Sequence, residues 1–286
     1  MHDFRLGRMG TSTSGAAPSK VPKVTAVFWI AKVLTTGMGE TTSDFLVRQF
    51  DPPPVVAATG LVFCGALALQ LLVRRYIPWV YWLAVVMVSV FGTMVADVLH
   101  VGLGIPYMVS TAFFAALLAM VFVLWHRSEK TLSIHSITSF RREAFYWATV
   151  LITFALGTAA GDMTATTLGL GYFASGVLFA ALIAVPAVAF AKFGLNAVAA
   201  FWTAYILTRP LGASFADWIG MPSIRSGLGV GTGPVSLVLA LMIIVLVARL
   251  KIVEGRVGEE NQTSIRGRNL ASPQLLDAAE SSPDNL

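Results

Sequence analysis

Eight apolar runs, each close to the length that crosses a lipid bilayer, account for most of this chain. They lie at about residues 24–44, 55–73, 78–99, 105–125, 144–167, 172–191, 196–218 and 235–250. A transmembrane α-helix needs about 20 mostly apolar residues. Only 12% of the 286 residues are charged and 56% are hydrophobic, whereas a soluble domain carries about 25% charged residues. The sequence therefore predicts an all-α polytopic membrane protein with eight transmembrane helices.

The connectors between these runs are short and leave no room for a separate soluble domain. Residues 1–23 contain Ser, Thr, Gly and basic residues, and they lack the apolar centre of a cleavable signal peptide. Residues 251–286 are rich in polar and charged residues, a composition typical of disorder. We therefore predict disordered tails at 1–23 and 251–286 on either side of one membrane domain at 24–250.

The basic residues are distributed unequally between the two sides of the predicted membrane domain. Sixteen of the 20 Lys and Arg residues fall in the tails and connectors of one side, and only Arg48 and Arg225 fall on the other. The positive-inside rule places the basic side in the cytoplasm. Both termini are then cytoplasmic, as an even number of helices requires, and the basic composition needs no nucleic-acid partner to explain it.

Four copies of one motif recur along the chain. Each copy has an aromatic residue followed by Trp, then a Gly ten residues after that Trp and an Asp fifteen residues after it. The tryptophans are Trp29, Trp82, Trp147 and Trp202, the glycines are Gly39, Gly92, Gly157 and Gly212, and the aspartates are Asp44, Asp97, Asp162 and Asp217. Repetition of this kind indicates a repeat architecture. We predict four two-helix units at about 24–73, 78–125, 144–191 and 196–250.

The pairing of helices determines the direction of the repeats. Because each unit crosses the membrane twice, every unit starts on the same side, and all four motif helices run outward from the cytoplasm. The repeats are then parallel and related by an axis along the membrane normal. The tryptophans should lie near the cytoplasmic face, and the aspartates about 22 Å further along the helices, toward the outer face.

The paired aromatic and Trp, the Gly and the Asp, repeated in four two-helix units, resemble a family of bacterial integral membrane proteins. Members of that family are built from four copies of a short repeat with a characteristic Trp. The resemblance covers residues 24 to about 250. It implies a multi-pass protein of the bacterial inner membrane, and it brings no established activity with it.

One face of each motif helix is polar. Positions 0, 7, 11 and 15 residues after the Trp fall within about 80° of one another on a helix. In the first copy they hold Trp29, Thr36, Glu40 and Asp44. A polar stripe in lipid must face protein or water. We therefore predict that the four motif helices turn inward around a shared axis, and that the four partner helices form a lipid-facing outer layer.

Five carboxylates and two bases fall on these inward faces: Glu40 and the four motif aspartates, with Lys32 and Arg209, and His100 is a further candidate. Their net negative charge would attract a cation or keep some carboxyl groups protonated. We therefore predict a proton-coupled transporter or exporter of a small cation. The aspartates would form the outer ring of its site, Glu40 would carry the proton, and Lys32 and Arg209 would set the charge balance.

The same residues also fit a membrane protein that transports nothing. In this interpretation the aspartates cap the segments that follow or lie at the outer interface, and the tryptophans are interfacial anchors. Lys32 extends to the inner interface, Arg209 pairs with a nearby Asp, and the glycines are packing positions. The chain would then be an accessory or sensor protein whose tails and loop at 127–142 bind partners. Carboxylates that converge inside the bundle favour transport, and carboxylates scattered at the rim favour this alternative.

Other chemistry has little support in the sequence. Asp97 and His100 share a helix face, but a single pair of this kind is a weak metal-binding pattern. No Ser-His-acid or Cys-His grouping points to a hydrolase. We expect no enzyme activity, no cofactor, no metal site and no nucleic-acid partner. The expected partners are the lipid bilayer, a small cation and protons.

Overall fold

The computed structural model describes residues 19–252, and this part of the chain forms eight long α-helices and no β-strand. The helices are α1 Ala26–Gln49, α2 Pro52–Leu72, α3 Pro78–Asp97, α4 Tyr107–Glu129, α5 Phe140–Asp162, α6 Gly171–Phe193, α7 Ala197–Gly220 and α8 Thr232–Ile252. The all-α prediction is confirmed for these residues. Most of the two predicted disordered tails, at 1–18 and 253–286, lies outside them.

Local sequence signals explain where several helices begin. The side chains of Thr25, Ser139 and Asn196 accept hydrogen bonds from backbone amides in the first turns of α1, α5 and α7, as good N-caps do. Pro52 and Pro78 open α2 and α3, where the missing amide hydrogen of proline costs nothing. The first residues of these five helices are therefore explained by the local sequence.

Six of the eight helices are both long enough and apolar enough to cross a membrane, which is compatible with a multi-pass membrane protein. The other two, α1 and α7, have 24 residues each and are long enough, since a helix rises about 1.5 Å per residue. They are also the helices that carry Lys32, Glu40 and Arg209. Their polarity, not their length, separates them from the others.

The four motif helices form a closed ring at the centre of the bundle. Helix α1 packs against α3, α3 against α5, α5 against α7, and α7 against α1. The even-numbered helices lie outside: 22% of the apolar stretch of α2 is buried within the protein, compared with 56% for α3. The predicted inner and outer layers are therefore observed, and the arrangement is one ring rather than two pairs.

Each outer helix packs mainly on the motif helix of the next repeat. Helix α2 packs on α3, α4 on α5 and α6 on α7. Helix α8 completes the cycle on α1, where the Ser236 hydroxyl donates to Thr41 Oγ1 at 2.8 Å. Neighbouring repeats are thus interlocked around the ring.

The motif glycines explain how closely the inner helices approach. A Cβ atom at Gly39 would collide with Ser89, one at Gly157 with Arg209, and one at Gly212 with Thr36. At Gly92 it would lie 2.8 Å from the Cβ of Phe154. In each case the residue met lies seven positions after the Trp of the next repeat. The interpretation of these glycines as packing positions is confirmed.

The aromatic motif residues close one end of the ring, which we call the Trp end. Ring centroids of adjacent repeats lie 5.9 Å apart for Phe28 and Trp82, and 5.6 Å apart for Tyr81 and Trp147. The cycle continues from Tyr146 to Trp202 and from Phe201 to Trp29. Because residues at equal positions in the motif meet, the four motif helices run in the same direction, as the spacing of the repeats predicts.

Burial at the Trp end contradicts the interpretation of the tryptophans as interfacial anchors. Trp82, Trp147 and Trp202 are at most 5% exposed, and only Trp29 is half-buried. Their neighbours are other aromatic side chains of the ring, because the paired aromatic of one repeat packs on the Trp of the next. The sequence shows an aromatic residue near a helix end but not which neighbour covers it.

Residues before α1 and between α4 and α5 cover the Trp end. Lys20 Nζ lies 2.5 Å from Glu143 Oε2, and Gln70 Nε2 donates to Glu143 Oε1 at 2.9 Å. The loop before α5 buries Ile134 and Ile137. Residues 19–23, predicted within a disordered tail, and the loop proposed as a partner surface therefore pack against the bundle.

Candidate functional site

The opposite end of the ring, which we call the Asp end, contains a cavity of about 910 Å³. All four motif aspartates and Glu40 line it, together with side chains from α2, from the C-terminal ends of the inner helices, from the segments that follow them and from the first turns of α4 and α6. The predicted carboxylates thus come from four helices and meet in one space. They converge inside the bundle and are not scattered around its rim.

The carboxylates differ in how deeply they lie. Glu40 is 3% exposed and Asp217 is 2% exposed, whereas Asp44, Asp97 and Asp162 are half-buried. Carboxylate oxygens of Glu40, Asp162 and Asp217 all lie within 4.8 Å of one another. Three negative charges at this separation repel one another strongly unless basic side chains, protons or a cation compensate them.

One side of the Asp217 carboxylate has no partner. Asp217 Oδ1 is buried and forms no hydrogen bond with any described residue. A buried polar atom without a partner costs about 1–3 kcal/mol. Because Asp217 lines the cavity, a water molecule or a cation there would satisfy this oxygen.

The aspartates do not act as helix caps. Asp44 and Asp217 lie within α1 and α7, before the helix ends. Asp97 and Asp162 end α3 and α5, but their side chains form no capping hydrogen bond with the short π-helical segments that follow, Val98–Gly102 and Met163–Thr167. The capping interpretation is therefore wrong.

A buried ion pair forms the floor of the cavity. Arg209 Nη2 donates to Glu40 Oε2 at 2.5 Å and to Thr158 Oγ1 at 2.7 Å, and it also donates to Thr93 Oγ1. Arg209 is 0% exposed. We call these four residues the floor cluster. The sequence interpretation paired Arg209 with an aspartate, and the structure pairs it with Glu40.

The floor cluster follows from the repeat. Glu40, Thr93 and Thr158 each lie eleven residues after the Trp of their own repeat, and Ala213 takes this position in the fourth. Arg209 lies seven residues after Trp202 and crosses the ring to meet the other three. Gly157 gives the long Arg209 side chain room to cross the ring, because a Cβ atom at residue 157 would collide with it.

Lys32 lies on the Trp side of the floor cluster and does not reach the cavity. Its Nζ is 3.8 Å from the centre of the Phe154 ring and 4.2 Å from that of Tyr205. It is 1% exposed and forms no hydrogen bond with a described residue. The expectation that Lys32 extends to the inner interface is wrong, because aromatic rings hold its amine inside the ring of helices.

Several cavity residues lie outside the predicted site. Tyr107, Tyr172, Arg48 and Arg225 also line the cavity. Tyr107 and Tyr172 each lie 25 residues after the Trp of their own repeat, so the repeat held a signal for this pair. Arg48 and Arg225 have no basic counterpart in the other repeats. Thr93 and Thr158 had a signal, since they fall on the polar stripe, but only their contact with Arg209 shows what they do.

Comparison with known families agrees with this architecture. Four segments of the chain, at residues 27–76, 80–131, 145–194 and 200–256, match the family described as Repeat of Unknown Function (DUF347). No curated protein matches the chain, and no solved structure matches it. The matched segments cover most of the sequence and follow the four motif copies in order. The chain belongs to this family of four tandem repeats.

Proposed function

We propose that this chain is a proton-coupled transporter of a small cation. The observation that carries the proposal is the single cavity lined by Glu40 and all four motif aspartates. Oxygen ligands from carboxylates suit hard cations, and buried acidic side chains in membrane segments usually mark ion pathways. A purely structural role would not require five carboxylates from four helices to face the same space.

All eight helices cross the membrane in this proposal, including the polar α1 and α7. They contribute to the same ring of equal motif positions as α3 and α5, from the Trp end to the Asp end. Their polar side chains face the ring and not lipid, so burial in protein offsets the cost of polarity. The positive-inside rule then directs the Trp end and both termini to the cytoplasm. The membrane in this proposal is the bacterial inner membrane, as the family resemblance implies.

The difference between the two ends supports a transporter rather than an open channel. Beneath the cavity the guanidinium of Arg209, which is always charged, blocks the axis. A fixed positive charge repels cations in a narrow pathway. Below it the Trp end is packed with aromatic side chains. In this proposal the cavity opens to the outside, and release inside requires the floor cluster to rearrange.

Proton coupling follows from competition for the same oxygens. A carboxyl group that binds a proton loses much of its ability to bind a cation, so cation binding releases protons. Glu40 connects both processes, because it belongs to the floor cluster and also lines the cavity. Loss of its charge would weaken the hold on Arg209 and free the floor to move. No enzyme activity is part of this proposal.

The test uses purified protein in liposomes that contain a pH-sensitive dye. After a proton gradient is imposed, Na⁺, K⁺, Mg²⁺, Ca²⁺, Mn²⁺ and an organic amine are added in turn. We expect a proton flux that depends on one of these cations and is lost in Asp162→Asn and Asp217→Asn. Asp51→Asn is the matched control, because Asp51 is exposed and lies outside the cavity.

Two results would overturn the proposal. One is the absence of flux with every cation from protein that is shown to be folded. The other is a flux that Asp162→Asn and Asp51→Asn reduce equally, because the cavity would then not be the pathway. Either result would favour the accessory or sensor interpretation.

A further inference from the structure

A second group of ligand atoms at the Asp end contains a nitrogen. Carboxylate oxygens of Asp97 and Asp162 and an imidazole nitrogen of His100 all lie within 4.8 Å of one another. Ligands around one metal ion at about 2.0–2.2 Å are separated by roughly 3–4 Å. A shift of about 1 Å would therefore bring the three atoms onto one ion.

The hydrogen bonds of His100 leave one ring nitrogen free. His100 Nε2 lies 2.5 Å from Ser110 Oγ, while Nδ1 is buried and has no partner among the described residues. The ring also packs on Tyr107, with the ring centroids 4.4 Å apart, and His100 is 8% exposed. Metal-binding histidines characteristically use one nitrogen for the metal and bond the other to a polar neighbour. His100 has one bonded and one free ring nitrogen, as a ligand of this kind requires.

The backbone conformation around His100 is typical of a functional site. His100 lies in the π-helical segment Val98–Gly102 that continues from Asp97, and Met163–Thr167 continues from Asp162 in the same way. Single π-helical turns inside or at the ends of α-helices occur frequently at functional sites. Asp97 and Asp162 both line the cavity, so an ion between them can be reached from the Asp end.

We propose that Asp97, His100 and Asp162 bind a divalent first-row transition-metal ion, and that this ion is the transported cation. The second part rests on the proposed function. Carboxylates alone suit Mg²⁺ and Ca²⁺, whereas an imidazole ligand favours transition metals. The three side chains leave coordination positions for water, which the cavity has room to hold. This proposal replaces the sequence expectation that the chain has no metal site.

Asp162 links this group to the deeper one. It also belongs to the group formed with Glu40 and Asp217, where Asp217 Oδ1 has no partner among the described residues. An ion held by Asp97, His100 and Asp162 is therefore one ligand exchange away from the floor cluster. The shared carboxylate gives the ion a route from the cavity wall to the floor.

The experiment measures binding of Mn²⁺ alone to the purified full-length protein in detergent. Electron paramagnetic resonance gives the bound fraction, and pulsed measurements detect coupling to a directly bound nitrogen. We expect one bound Mn²⁺ with nitrogen coupling in the unaltered protein. His100→Ala should abolish this coupling and weaken binding by at least about tenfold. His135→Ala is the matched control, because His135 is exposed and lies in the α4–α5 loop.

Three results would overturn the proposed site. They are no Mn²⁺ binding at millimolar concentration, bound Mn²⁺ without nitrogen coupling, and equal affinity in the His100→Ala and unaltered proteins. The nitrogen coupling is measured in the unaltered protein, so it does not depend on whether a variant folds.

The proposed site and the proposed function can fail separately. If Mn²⁺ binds through His100 but no cation drives proton flux in liposomes, the site stands and transport is wrong. If Na⁺ or K⁺ drives the flux while Mn²⁺ neither binds nor drives it, transport stands and the transition-metal assignment is wrong.

Discussion

The Trp end and the Asp end are built from the same four repeats, yet one is packed and the other is open. At the Trp end the repeated residues are aromatic, and each fills the space beside the next repeat. At the Asp end the repeated residue is a short carboxylate, and four of them around an axis leave a cavity. Like charges repel and cannot pack against one another, whereas aromatic rings can. A symmetric motif therefore closes one end of the ring and keeps the other accessible.

The four copies of the motif differ most at the positions between the Trp end and the Asp end. Eleven residues after the Trp they carry Glu40, Thr93, Thr158 and Ala213, and seven residues after it Thr36, Ser89, Phe154 and Arg209. The Trp, Gly and Asp positions, which all four repeats share, build the ring of helices. Positions that differ between repeats contribute Glu40 and Arg209, the only buried ion pair that the described residues form on the axis of the ring. The differences between the ends can be tested by substitutions at each level.

The largest effect is expected at the floor cluster. Arg209→Met would leave Glu40 buried without its partner, and breaking a buried pair in this way costs about 3–5 kcal/mol. The unfolding midpoint in mixed detergent should fall strongly. The double variant Glu40→Gln and Arg209→Met removes both charges and should recover most of the loss. If Arg209→Met alone were as stable as the double variant, Glu40 would need no partner, and the expected contribution of the ion pair to stability would be wrong.

The glycine layer should show the next largest effect. Gly92→Ala places a methyl group 2.8 Å from the Cβ of Phe154, which cannot move without its backbone. Overpacking of this kind costs about 1–3 kcal/mol. Gly65→Ala is the control, because a Cβ there meets nothing within 4 Å and alanine favours the helix by up to ~1 kcal/mol. Thermal unfolding should separate the two variants, and equal stability would contradict the ring packing.

Much of this layering could be predicted from the sequence. The Trp, Gly and Asp positions repeat four times, so their spacing predicts parallel motif helices and a polar stripe on each. Helical periodicity then places Glu40 and the aspartates on inward faces, and the structure brings them into one cavity. These inferences concern one helix at a time, for which sequence spacing is sufficient.

Contacts between helices could not be predicted in the same way. Periodicity gives the face on which Arg209 lies, but Glu40 is 169 residues away in sequence and is one of five candidate acids. The aromatic surroundings of Lys32 depend on Phe154 and Tyr205 from two other helices. The pair of Lys20 and Glu143 joins a predicted tail to α5. To predict any of these contacts, one would need the order of the helices around the ring, and the repeat does not give that order.

Substitutions at the Trp end should leave cation binding at the Asp end unchanged. Tyr81 and Tyr146 share a hydrogen bond of 2.5 Å between their hydroxyl groups. Tyr81→Phe leaves one hydroxyl without this partner and should cost about 1 kcal/mol, while the double change to Phe should be nearly neutral. Mn²⁺ affinity should be unchanged in both, as measured by electron paramagnetic resonance. A change in affinity would show that the two ends are coupled in this state.

The smallest effect is expected at the rim of the cavity. Arg48 lines the cavity and pairs with Asp44 at 3.3 Å, but its side chain is 39% exposed. An exposed pair contributes only about 0.2–1 kcal/mol to stability. Arg48→Gln should therefore leave the unfolding midpoint almost unchanged. Removal of its positive charge should raise Mn²⁺ affinity by about two- to fivefold at low ionic strength.

Salt and a second arginine separate this field effect from a change in shape. At 1 M salt the screening length is about 3 Å, so the affinity gain of Arg48→Gln should vanish. Arg141→Gln removes an exposed arginine near the start of α5, at the Trp end of the bundle. It should not alter Mn²⁺ affinity at any salt concentration. If both variants raised the affinity equally, the net charge of the protein alone would explain the gain. The result would then give no support to Mn²⁺ binding in the cavity at the Asp end.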